Sequence, residues 1–223
     1  KVKKEHKNVI EGKIFDDEET LKKYSRDASL LEVRPSLVIW PKNKEDIKKV
    51  VRFVSENKIK NPELSVTVRA AGSCMSGGSL NESIILDINK YLNSVSIDKE
   101  KKEATIEPGI FYRDFEVETL GRGLILPCYT ASKNLCALGG MIGNNAAGEK
   151  TLQYGKMENF VKEVRMVLSD GEEYTFKPLS RVDALAKSHE NTAEGEVYEK
   201  ILKILDENRE LIKEAKPKVS KNS

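Results

Sequence analysis

Histidine and cysteine are scarce in this chain of 223 residues: His6 and His189 are the only histidines, and Cys74, Cys128 and Cys136 the only thiols. A zinc site needs several such ligands at set spacings, and too few are present to build one. The thiols form no Cys-x-x-Cys pair, and their odd number suits reduced cysteine better than a disulfide framework, which points to a cytoplasmic setting. Long apolar runs are missing too. No stretch approaches a bilayer span, and Lys1-Val2-Lys3-Lys4-Glu5-His6 lacks the apolar core of a signal peptide, so no transmembrane segment is expected. Nor is there an excess of one charge. Lys and Arg number 38 against 36 Asp and Glu, a net charge of +2, which gives no field to draw in nucleic acid or an anionic membrane.

The common nucleotide and catalytic fingerprints are absent as well. A Walker A loop closes on Gly-Lys-Ser/Thr, whereas the candidate here closes on Gly77-Gly78-Ser79 without a lysine. Gly139, Gly140 and Gly143 are out of register for a dinucleotide Gly-x-Gly-x-x-Gly. There is no Gly-x-Ser-x-Gly elbow, no His-Glu-x-x-His and no kinase signature set. No internal repeat or low-complexity tract is visible either.

What the chain does have is small residues in two concentrated stretches. The first is Arg69-Ala70-Ala71-Gly72-Ser73-Cys74-Met75-Ser76-Gly77-Gly78-Ser79, between strand-like Leu64–Val68 and Ile84–Asp87. Small residues let a backbone turn tightly, take positive φ and lie against a ligand, and successive N–H groups in such a turn cradle phosphate. A plain hairpin loop is the alternative. The second stretch, Leu138-Gly139-Gly140-Met141-Ile142-Gly143-Asn144-Asn145-Ala146-Ala147-Gly148, has too many small residues for a simple core helix and implies close backbone approach.

Around these, a short surface helix is expected over residues 16–25, entered through acidic residues. A strand follows between Pro35 and Pro41, then an amphipathic helix capped by Asn43 with Ile47, Val50, Val51 and Val54 on one face. Residues 55–63 read as a polar connector. Residues 94–98 and 103–107 should pair as a hairpin, residues 111–120 should form a helix closed by Gly121, and Leu124–Pro127 is short and apolar. Phe160–Leu168 and Glu173–Phe176 should form a second hairpin turning at Asp170-Gly171. Residues 182–215 are charged and helical, with an incomplete apolar stripe. Trp40 reads as core, and His189 as a solvated loop residue.

Several elements in order resemble one family. Tyr24-Ser25-Arg26-Asp27-Ala28, Arg34-Pro35, Val38–Pro41, the loop 69–78, Glu107-Pro108-Gly109, Leu138-Gly139-Gly140, Asn144–Gly148, Tyr154-Gly155 and Val164–Gly171 are similar to the FAD-binding domain of the vanillyl-alcohol-oxidase (PCMH-type) flavoproteins, D-lactate dehydrogenases and the glycolate oxidase flavin subunit in particular. The resemblance covers residues 21–176. It implies an α+β, two-lobed PCMH-type FAD-binding domain, incomplete at its C-terminal side: a first lobe over 1–90 with the pyrophosphate loop 69–79, a second over 91–180, and a charged helical extension over 181–223. It implies that Arg69, Ala70, Ala71, Gly72, Ser73, Cys74, Met75, Ser76, Gly77 and Gly78 wrap the pyrophosphate of FAD. Leu138, Gly139, Gly140, Asn144, Asn145, Ala146 and Gly148 then line a second wall, with Pro127, Ser132, Tyr154 and Gly155 along the same groove. Gly72-Ser73 stands where some relatives carry a flavin-linked histidine, so FAD is expected to be non-covalent.

The implied activity is that of an oxidoreductase taking a hydride from a small 2-hydroxy acid such as D-lactate or glycolate. No catalytic or metal-binding residue is expected in this stretch, because the family places substrate groups in a further C-terminal domain of the same chain, missing here. The electron acceptor is unspecified, and the fragment alone is expected to be inactive. Other flavin chemistry on the same fold, such as a reductase or alkyl-transfer synthase, and a non-catalytic nucleotide-binding module are the alternatives. Individual residues carry alternatives too. Arg69 faces either the phosphates or solvent; Ser73 and Ser76 serve either pyrophosphate or their own loop; Asn144 and Asn145 are also good caps; Tyr154 packs beside the flavin or fills the core; and Cys74 and Cys136 read as small packing residues.

Overall fold

The computed structural model describes residues 10–216; His6 and the tail from Pro217 to Ser223 lie outside the described residues. Strands β1 (Lys13–Phe15), β2 (Leu37–Trp40), β3 (Val66–Arg69) and β4 (Ile84–Asp87) form one sheet in the order β1-β2-β4-β3. β1 is antiparallel to β2, and β4 lies parallel to both of its neighbours. Its two central strands are buried on both faces, which is why they read as continuous apolar runs. Leu37, Ile39, Ile84 and Leu86 pack with Val50 of helix α2 (Lys44–Asn57), while Val38 and Ile85 meet Leu21 and Tyr24 of helix α1 (Glu18–Tyr24). Asp17 and Asn43 cap these helices by accepting the N–H groups of Thr20 and Asp46.

The parallel pairing of β3 and β4 overturns the hairpin alternative. Residues 70–83 must carry the chain back along the sheet, so the small-residue loop is itself the crossover, without the usual helix.

A hairpin of β5 (Val95–Asp98) and β6 (Glu103–Ile106) leads into helix α3 (Tyr112–Leu120). Gly121 closes α3 in a right-handed conformation at φ −58°, and the left-handed turn falls instead at Gly123, φ +72°. The second glycine-rich stretch does contain a helix, α4 (Leu138–Gly143), contrary to expectation. Leu138 and Met141, one turn apart, anchor it in a separate core with Ile110, Tyr112, Phe115, Cys128 and Met157.

After a short helix α5 (Thr151–Tyr154), Met157–Phe160 forms a 3₁₀ turn, so the strand expected from Phe160 shortens to β7 (Val164–Val167). It pairs with β8 (Glu173–Phe176) through the expected turn, with Gly171 at φ +77°. The tip of this hairpin rests on α2: Lys44 pairs with Glu173 at 2.6 Å, and Lys48 with Glu172 at 2.9 Å, and Arg52 also pairs with Glu172. Helices α6 (Arg181–Ser188), α7 (Ala193–Glu207) and α8 (Arg209–Ala215) complete the described chain, with Ile201, Ile204 and Leu211 more than half exposed. Among the described residues no helix is long and apolar enough to cross a membrane.

Candidate functional site

The first glycine-rich wall is built on β3. Gly72 and Gly77 take φ +68° and +77°, conformations open to glycine at little cost. Arg69 is partly buried. Its side chain folds back beneath Gly72, where a Cβ would lie 2.4 Å from Nη2, and it stacks over the Tyr24 ring at 5.3 Å. Arg69 Nη2 donates to the Arg26 carbonyl at 2.9 Å, and the buried Nη1 has no acceptor. Between the two left-handed glycines the loop turns outward, with Met75 83% exposed. Cys74 is only partly buried, and its sulfur engages the Ser76 hydroxyl at 3.0 Å. Hydrogen bonds from the Ser76 hydroxyl, the Ser76 N–H and the Gly78 N–H hold the thiol below its ordinary range. Cys74 therefore serves its own loop, whereas Cys136 is buried as expected, and Cys128 is buried too.

The second wall meets the first at one point. A Cβ built on Gly140 would sit 3.5 Å from the Ala70 Cβ, so α4 and the loop face each other across a gap of about one methyl group. One turn along the same helix, Gly143 has nothing within 4 Å of a Cβ position. Gly140 thus leaves bare backbone toward the loop, and Gly143 leaves bare backbone toward open space. Gly139 and Gly148 approach the chain itself: their Cβ positions fall 2.5 Å from the Pro108 carbonyl oxygen and 1.7 Å from that of Tyr129. Gly155, at φ +82°, is fitted around Asn159.

The other expected residues divide similarly. Leu138 and Ala146 are buried in the second core. Asn145, at φ 46°, exchanges two hydrogen bonds with Glu158, while Asn144 is exposed at the end of α4. Ser132 bonds the Thr130 hydroxyl at 2.9 Å, Pro127 leads into buried Cys128, and Tyr154 is 42% exposed. His189 ends α6 as an exposed cap residue. Among the described residues no cluster of metal ligands occurs.

Beneath the first wall lies a buried polar group that sequence reasoning left without a role. Tyr24 donates to the Asp87 carboxylate and accepts from Trp40 Nε1 at 2.9 Å. Burial, then the Asp87 carboxylate, pushes the Tyr24 phenol far above its ordinary value, so it stays a donor. Asp27 accepts from Ser79 Oγ at 3.1 Å and from the Ser29 N–H at 2.8 Å. Burial works to raise its pKa, but hydrogen bonds from Ser29 and Ser79 and the charge of Arg69 prevail and hold it below the usual carboxylate range. The signal was the Asp27-x-Ser29 spacing, typical of a side chain bonding main chain two residues on.

Known proteins align with this arrangement. Residues 35–177 match the family described as FAD binding domain. The chain is 29% identical to a D-2-hydroxyglutarate dehydrogenase of Pantoea ananatis over 88% of its own length and 19% of that protein. It is 29% identical to a D-lactate dehydrogenase of Archaeoglobus fulgidus over 60% of its length and 29% of the relative's. The fold of 6-hydroxy-D-nicotine oxidase from Arthrobacter nicotinovorans superposes with a TM-score of 0.66 at 24% identity, covering 79% of this chain and 38% of that one. The chain thus spans well under half the length of these proteins, and by its matched residues, which include both glycine-rich walls, it belongs to the FAD binding domain family.

Proposed function

We propose that this chain is the cofactor-holding part of a flavin-dependent oxidoreductase acting on a small 2-hydroxy acid. The observation that carries the proposal is the pair of glycine-rich walls meeting at Ala70 and Gly140, with bare backbone continuing to Gly143. An elongated, doubly charged cofactor fits that arrangement: main-chain N–H groups of the loop 70–78, other than those of Ser76 and Gly78 that bond the Cys74 sulfur, face its pyrophosphate, and Gly140, Gly143 and Asn144 flank its path. The unpaired, buried Arg69 Nη1 supports an anion nearby. Pro127, Ser132 and Tyr154 border the same groove in this reading. When bound, FAD supplies the hydride acceptor for oxidation of the substrate carbinol. The residues of this chain bind the cofactor non-covalently, orient it, and exclude water from its phosphate end.

The names of the hydroxy-acid dehydrogenase relatives support the substrate class, and their greater length supports placing the substrate-binding groups and the proton-accepting base in a further domain of the same protein. The free thiols suit a cytoplasmic location.

Calorimetric titration with FAD tests the cofactor site. Gly77→Asp is an unsuitable control, since at φ +77° any side chain is strained and a Cβ would displace Leu31. Gly78 has only the Cys74 sulfur at 3.4 Å and no positive φ, so Gly78→Asp adds a charge without strain. The wild type should bind FAD, and Gly78→Asp should weaken binding at least tenfold while melting within a few degrees of it. Equal affinity in the two proteins would overturn the loop assignment.

A further inference from the structure

Apart from the approach of Ala70 to Gly140, the glycine loop is met at several points by residues 24–32, which leave the end of α1 and return before β2. Its neck is closed by the bridge between Arg26 and Glu32, by their ion pair, and by the Val33 N–H on the Ser25 carbonyl at 2.9 Å. From this closed neck it touches the loop at successive points. The Ala28 N–H donates to the Gly72 carbonyl at 3.1 Å, Leu31 abuts Gly77, and Asp27 accepts from Ser79. Arg69, at the root of the loop, bonds the Arg26 carbonyl from the other side.

The electrostatic effect is specific. An anion site needs N–H groups turned outward and carbonyl oxygens turned away. The Gly72 oxygen is drawn toward Ala28 and the Gly77 oxygen is occupied by the Leu80 N–H at 3.1 Å. Both left-handed glycines therefore have their carbonyls committed within the protein, which removes two partial negative charges from the ligand face. Asp27 introduces a carboxylate close by, but its oxygens are taken by Ser29 and Ser79, and Arg69 offsets its charge.

We infer that residues 24–32 form a brace that sets the glycine loop in its anion-accepting shape before any ligand arrives, with Asp27 and Ala28 as its positioning residues. The segment lies before residue 35, outside the stretch matched to the family. The ligand part of the inference rests on the FAD reading above; the brace itself does not. A preorganised loop loses less entropy on binding, so affinity follows from contacts the ligand never makes.

The test uses Asp27→Ala, Ser79→Ala and the conservative Ser79→Thr in the full 223-residue chain, and follows hydrogen exchange without FAD, FAD affinity and melting temperature. The amides of Ala28 and Leu80 should exchange at least tenfold faster in both alanine variants, those of α3 should not change, and FAD affinity should fall about tenfold. Ser79→Thr should restore both readouts. The double variant should match Asp27→Ala, because the one bond that Ser79→Ala breaks is already lost there together with the Ser29 bond. Should Asp27→Ala unfold, Ser79→Ala alone carries the comparison. Unchanged exchange at Ala28 and Leu80 in a folded Ser79→Ala protein would overturn the brace. Faster exchange there, in a chain whose wild type takes up no FAD, would support the brace and overturn the cofactor reading instead.

Discussion

At the scale of single residues, glycines of the same stretch serve opposite purposes. Gly148 is required by its own chain, since a Cβ would lie 1.7 Å from the Tyr129 carbonyl oxygen, a main-chain atom with little freedom to move. Gly143 is required by nothing within the protein. Gly148→Ala should therefore destabilise by about 3 kcal/mol through backbone displacement. Gly143→Ala should stabilise by about 0.5 kcal/mol, because alanine loses less backbone entropy. Denaturant melts of the two variants check both signs, and a stabilised Gly143→Ala that binds FAD less well would mark Gly143 as kept bare for a ligand. Composition alone makes these glycines equivalent, so their division was not legible in the sequence. What decides it is whether a carbonyl from a distant segment faces the missing Cβ.

At the scale of elements, most helices and both hairpins follow from periodicity and caps, as with Asn43 at α2 and Asp170-Gly171 between β7 and β8. Three features did not follow. β1 is only Lys13–Phe15, too short for alternation to register, and it is held by pairing with β2 and by buried Asp46, which accepts the Glu11 and Gly12 N–H groups at 2.9 and 2.8 Å. The direction of β4 relative to β3 was hidden because a run of small residues permits a hairpin and a crossover equally. The docking of the β7–β8 tip on α2 was equally hidden, since its charges are ordinary surface charges until the fold joins them. Glu172 faces both Lys48 and Arg52, and hydrogen bonding to Lys48 holds its carboxyl below the usual range. Glu172→Lys should lower the melting temperature at low salt. In about 1 M salt, where the screening length is about 3 Å, the gap should narrow; a gap indifferent to salt would assign it to packing at Gly171 instead.

At the scale of the whole molecule, the cofactor reading predicts that FAD stabilises the fold, by about 2.7 kcal/mol at a concentration a hundredfold above its dissociation constant. Thermal melts with and without FAD measure this directly, and no shift at saturating FAD would contradict binding to the native state. The two cores invite a second reading of the same melts. One lies around β2 and β4, the other around Tyr112, Leu138 and Met157. Trp40, the only tryptophan in the chain, belongs to the first, with its indole N–H on the Tyr24 hydroxyl and its ring 4.4 Å from that of Phe15. Its emission is therefore a one-sided optical probe. It reports on the half of the molecule that carries the brace, leaves the Tyr112 core dark in that channel, and separates the two in any unfolding experiment where they part company.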